Sequence, residues 1–146
     1  MIQKDKLLID ACRSGQLASV EQLIAAGANV DTQDDAGKTP LMHAAWYGHT
    51  TTETITALLK AGANVNLCDE EGKTALMISA WWSHAKTVTA LIAAGANVDA
   101  HDHDGNTALM LAAREGNTES ILALTIAPEA ARIAGHMLGA HNNPEK

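Results

Sequence analysis

The densest run of potential ligands in this chain is His101-Asp102-His103-Asp104-Gly105-Asn106. Its D-x-D-G-N order matches part of a calcium-binding loop, in which alternating oxygen donors surround a hard cation. Such a loop also needs a glycine after the third ligand and a bidentate Glu at the twelfth position, and Ala113 stands there. The run therefore reads as a turn, not a metal site. Cys12 and Cys68 lie far apart, with no C-x-x-C spacing. Two lone thiols indicate a reducing compartment and no zinc site. Cys12 follows Ala11 on an apolar helix face, which makes it a core residue and not a nucleophile; Cys68 falls in a loop and is expected to be exposed. No G-x-S-x-G, H-E-x-x-H, phosphate-binding or dinucleotide-binding glycine motif occurs. The expectation is a non-enzyme with no catalytic residue, no metal and no cofactor.

Charge and composition narrow the remaining classes. The net charge is −7 and the ten Lys and Arg residues are scattered, so the basic stripe that phosphate binding requires is missing. Nucleic acid is not an expected partner. Acidity instead favours a protein with a basic surface. No apolar run approaches the roughly 20 residues of a membrane span, and Met1–Lys6 lacks the apolar stretch of a signal peptide. The reading is a cytoplasmic protein, monomeric when free. Hydrophobic residues reach 47%, too many for a disordered chain, yet there are only three Trp, one Tyr and no Phe. A core must be built from Ala, Leu, Ile, Val and Met, which suits closely packed helices better than a β-sandwich.

Two phrases recur in phase. Gly37-Lys38-Thr39-Pro40-Leu41-Met42-His43-Ala44-Ala45 returns as Gly72-Lys73-Thr74-Ala75-Leu76-Met77-Ile78-Ser79-Ala80 and as Gly105-Asn106-Thr107-Ala108-Leu109-Met110-Leu111-Ala112-Ala113. Between them recur Ala26-Gly27-Ala28-Asn29-Val30-Asp31, Ala61-Gly62-Ala63-Asn64-Val65-Asn66 and Ala94-Gly95-Ala96-Asn97-Val98-Asp99. A period of 33 to 35 residues marks a stacked-repeat architecture. Thr39, Thr74 and Thr107 sit where a hydroxyl can cap a helix start, and Pro40 suits the first helical position. Leu41, Ala44 and Ala45 make one apolar face. Val20, Leu23 and Ile24, and again Val88, Leu91 and Ile92, make that of a second helix. Gly27, Gly62 and Gly95 then end the second helix in the left-handed region. The stretch that follows reads as an extended hairpin finger.

These phrases resemble the ankyrin repeat, D-x-x-G-x-T-P-L-H-x-A-A-x-x-G-H followed by a second helix and G-A-x-V-N, over residues 5–127. The resemblance implies an all-α solenoid of helix-turn-helix units with short hairpin fingers, forming one domain over residues 1–146. The units fall at about 4–33, 34–68, 69–101 and 102–127, with a capping segment over 128–140 and a tail over 141–146. In the first unit, residues 6–13 and 18–26 should form the helix pair. In the last, a second helix is expected near 118–127 and a short capping helix over 129–138. The chain departs from the pattern at three places. Met42, Met77 and Met110 replace the motif histidine, which should substitute apolar packing for a polar link. The turn Gly48–Glu53 is two residues longer than its equivalents. Ser83 stands where Gly15, Gly48 and Gly116 mark the turn, at a cost if positive φ is required.

The resemblance also says which residues meet a partner. The two positions after the Ala-Ala pair face the concave surface; here they are Arg13-Ser14, Trp46-Tyr47, Trp81-Trp82 and Arg114-Glu115. All of the chain's aromatic residues fall in this set. Trp, Tyr and Arg dominate binding hot spots, so Arg13, Trp46, Tyr47, Trp81, Trp82, Arg114 and Glu115 are expected contacts. Finger residues Asp35, Lys38, Glu70, Glu71, Lys73, His103 and Asp104 would form the rim, their excess acids steering a basic partner. Asp34, Asp69 and Asp102 are expected to be structural. The implied function is protein–protein interaction. Alternatives are an inhibitor or immunity protein that covers a basic active site, and a self-associating structural module.

Overall fold

A computed structural model describes residues 2–47, 52–126 and 129. Its order is α1 (Gln3–Ser14), α2 (Leu17–Ala25), α3 (Pro40–Trp46), α4 (Thr52–Lys60), α5 (Ala75–Trp81), α6 (Ala85–Ala93) and α7 (Ala108–Arg114). A further helical run covers residues 118–126. The odd-numbered helices pack in one row, α1 on α3 on α5 on α7, and α2, α4 and α6 form a second row behind them. This is the all-α repeat solenoid that the sequence implied.

The inner helices α3, α5 and α7 are each started by a threonine. Thr39, Thr74 and Thr107 accept bonds from the backbone N–H groups of Met42, Met77 and Met110 at 3.2, 3.3 and 3.2 Å. Such a cap contributes about 1 kcal/mol. Leu41, Leu76 and, in the first unit, Leu8 are fully buried in the core; in the last unit their counterpart Leu109 is exposed, and Leu111, two positions later, is buried instead. Ala44, Ala45 and Ala80 are as fully buried, and their small size lets the rows approach. From the outer row come Val20, Ile55, Leu58, Val88 and Leu91.

The fingers are tighter than the expected extended hairpins. Only isolated bridges join Cys68 to Thr74 and His101 to Thr107. The reason is the carboxylate at the head of each turn. Asp34 Oδ1 accepts from the N–H groups of Ala36 and Lys38, Asp69 Oδ1 from Glu71 and Lys73, and Asp102 Oδ1 from Asp104 and Asn106, all at 2.9–3.0 Å. Successive fingers are also bonded to one another. Glu70 N–H donates to the Ala36 carbonyl and His103 N–H to that of Glu71, each at 3.0 Å. Gly72 is required here twice over. Its φ is +80°, and an added Cβ would come within 2.7 Å of the His103 ring and 3.0 Å of His103 N.

Several local expectations are corrected. The first helix begins three residues earlier, at Gln3, and the second spans Leu17–Ala25. Thr52 and Glu53 belong to α4 and not to the preceding turn, because Glu53 supplies a favourable acid to its first turn. Residues 48–51, the core of the two-residue insertion, lie outside the described residues, as do Ala127, Pro128 and residues 130–146. Met42 and Met77 are buried between repeats as expected, but Met110 is 52% exposed, since α7 has no later inner helix among the described residues. Ser83 adopts φ +64°, the left-handed turn that Gly15 and Gly116 also adopt.

Candidate binding groove on the inner-helix face

Trp46 is the last residue of α3 and Trp81 the last of α5, while Trp82 follows as the helix C-cap. The ends of these helices are held by the next repeat. Asn117 Nδ2 donates to the carbonyls of Ala80 and Trp81, both at 2.8 Å. This clamp satisfies helix-end carbonyls that would otherwise lack partners. One repeat earlier, burial holds the His84 pKa below the usual histidine range, although the backbone of Trp46 favours its charged form.

The rings of Trp46 and Trp82 pack at 5.5 Å between centroids with an interplanar angle of 58°. Both remain open to solvent, at 38% and 45% exposure. Trp81 is half-buried and packs on the core. The three indoles wall a groove of about 300 Å³, floored by Met77, Ile78 and Leu111. The finger residues Glu71, Lys73, Asp104 and Asn106 and the side chain of Arg114 line it as well. Arg114 Nη2 donates to Asn106 Oδ1 at 2.9 Å. A larger depression of about 800 Å³ lies between α2 and α4, but its lining, with Glu21, Thr56 and Lys60, includes no aromatic residue.

The structure therefore brings seven of the expected contacts into one groove and places the rest elsewhere. Tyr47 leaves α3 with ψ 113°, whereas Trp82 and Glu115 stay near-helical at ψ 8° and 0°. Tyr47 lines a separate cleft with Asp10, Arg13 and Ser14. Glu115 is exposed and caps α7. Asp35, Glu70 and His103 are exposed on the fingers.

Lys38 and Lys73 tie neighbouring fingers together. Lys38 Nζ lies 2.6 Å from Asp69 Oδ2 and 5.3 Å from the Trp46 ring centroid, a cation–π distance. Lys73 Nζ lies 3.1 Å from Asp102 Oδ2 and 3.7 Å from Glu71 Oε2. Burial would raise the Asp102 pKa, but the bonds from Asn106 and the Lys73 ammonium outweigh it and hold the carboxyl down at about 2. Lys73 responds in kind: burial opposes its charge, and Asp102 more than offsets this, raising its pKa. The structural role of both lysines has a sequence signal, since Gly-Lys-Thr recurs in phase at residues 37–39 and 72–74.

His43 sits one position beyond the expected motif histidine. It is buried, and its Nε2 lies 2.7 Å from Asp34 Oδ2. Burial lowers its pKa in spite of that carboxylate, so it links helix to finger as a neutral ring near pH 7. Cys12 is fully buried, and burial pushes its thiol up to about 12; Cys68 is exposed. Among the described residues no group of His, Cys, Asp and Glu is arranged to hold a metal ion. No helix among them is long and apolar enough to cross a membrane.

Two apolar wall segments, an aromatic pair and a polar finger row suit recognition by surface complementarity. The family described as ankyrin repeats (3 copies) matches residues 8–102 and, overlapping, 51–133. The chain belongs to the ankyrin-repeat family, whose repeats are protein-interaction modules. No curated protein matches the chain.

Proposed function

We propose that this protein binds a partner protein through the face formed by the C-terminal ends of α3, α5 and α7 and the adjoining fingers. The observation that carries this reading is the exposed pair Trp46 and Trp82 beside Trp81. Large exposed indoles on a framework fixed by helix caps and finger-to-finger bonds supply contact area at little entropic cost. Asp35, Glu70, Glu71 and Asp104 along the fingers favour a partner with a basic surface. The test is capture from native lysate by wild type and by a Trp46→Ala/Trp82→Ala variant, after circular dichroism establishes equal folding. Trp81 is left intact because it packs on the core. A partner held by wild type and lost by the variant is expected. Equal retention would move the interface to another face.

The acidic rim favours a second reading, an inhibitor that covers a basic active site. In that case the captured partner is an enzyme or toxin whose activity disappears in the complex. An adaptor would leave that activity intact.

A further inference from the structure

We infer that the groove beneath the Trp46–Trp82 pair takes an arginine side chain of the partner, its stem against the indoles and its guanidinium on the carboxylates of Glu71 and Asp104; this rests on the binding face proposed above.

Three features of the groove lead to this. Its floor and aromatic wall are apolar, but its rim is charged. An occupant must therefore be apolar along its length and polar at its end. Its volume of about 300 Å³ lies at the small end of ligand sites, which suits a single inserted side chain better than a folded element.

The sign of that polar end follows from what remains uncompensated. Lys73 is paired with the buried carboxylate of Asp102 at 3.1 Å, so the two charges cancel locally. Arg114 is hydrogen-bonded to Asn106. Glu71 has only the 3.7 Å contact to Lys73 and is 70% exposed. Among the described residues Asp104 has no ion-pair partner, nor have Asp35 and Glu70 on the neighbouring fingertips. The rim thus sets two carboxylates against one guanidinium. Any occupant that covers it strips water from both carboxylates. A cationic head restores their hydrogen bonds, whereas an aliphatic or anionic one leaves them unpaired. Trp46 already accepts a cation on its ring in the form of Lys38.

Arginine fits better than lysine for two reasons. Its planar guanidinium stacks on an indole face, and its fork of N–H donors reaches two acceptors at once.

The test uses a blocked hexapeptide of alanines with one central arginine, and the same peptide with citrulline or norleucine in its place. Binding is read from the indole N–H resonances of the three tryptophans by nuclear magnetic resonance. The arginine peptide should shift the Trp46 and Trp82 signals and bind at least about threefold more tightly than the citrulline peptide. That preference should vanish in a Glu71→Gln/Asp104→Asn variant, whose substitutions lie at exposed positions and spare the core. Equal binding of all three peptides at these indoles would overturn the arginine assignment and leave the face standing. No shift from any peptide would also overturn it, and the lysate capture would then decide the face independently.

Discussion

The indoles of Trp46 and Trp82 meet at 5.5 Å although they do not occupy equivalent positions in their repeats. The equivalent of Trp46 is Trp81, and Trp82 is the counterpart of Tyr47. Trp82 and Tyr47 leave their helices with nearly the same φ, −91° and −92°, and differ in ψ, 8° against 113°, so the chain runs on differently after each. Trp82 lines the groove with Trp46, and Tyr47 lines a cleft with Asp10 and Arg13.

The three tryptophans should separate by their effects on stability. Trp46→Ala or Trp82→Ala removes an exposed pair contact and should cost no more than about 1 kcal/mol in urea unfolding. Trp81→Ala opens part of the packed interior and should cost about 2–3 kcal/mol. Equal costs at all three positions would mean that the exposed pair supports the fold.

Asn117 bonds two helix-end carbonyls of the preceding repeat. Asn117→Ala should lower stability by about 1–3 kcal/mol, because two acceptors lose their donor. Asn117→Asp keeps the shape and removes the N–H groups, so it should be at least as damaging. A denaturation midpoint unchanged in both would show that water replaces the side chain without loss.

The link between Lys73 and Asp102 predicts a pH dependence. The folded-state pKa of Asp102 is lowered from 3.8 to about 2, so the unfolded chain binds its proton first. Its contribution is complete above about pH 4 and is lost as pH falls toward 2. Asp34, also shifted down, acts in the same direction. Asp102→Asn should therefore destabilise the protein at neutral pH and flatten the fall in stability between pH 4 and 2, measured by urea midpoints. An unchanged slope would assign the acid response to other carboxylates.

Ser83 and Gly116 hold the same left-handed turn, with φ of 64° and 68°. Ser83→Gly should stabilise by about 0.5–1 kcal/mol, and Gly116→Ala should destabilise by a similar amount. The second change meets no neighbour within 4 Å, so its cost is conformational. Thermal unfolding of both variants would reveal whether the signs are opposite.

Much of this architecture is legible in the residues themselves. Thr39, Thr74 and Thr107, the buried Leu41 and Leu76 two positions after the first two, and the glycines after the outer helices act through local rules, and a repeated local rule needs no tertiary knowledge to be read. The hydrogen-bonded turns headed by Asp34, Asp69 and Asp102 belong to the same class. So does the placement of Trp46 and Trp81, which end equivalent helices, on one face, since each helix repeats the same rotation.

Local pattern thus carries the family, the helix pairs and the threonine caps. Which residues share a groove depends on how the repeats stack. Lys38 reaches Asp69 across 31 positions and Lys73 reaches Asp102 across 29, because the finger-to-finger bonds bring separate repeats together. The stacking also seats Tyr47 in a cleft with Asp10 and Arg13 of the first unit, apart from the groove that Trp82 lines. The role of Asn117 as a clamp exists only where one repeat rests on the next. Local periodicity fixes the direction of a side chain along its own helix; its partners across a repeat boundary depend on how two repeats stack.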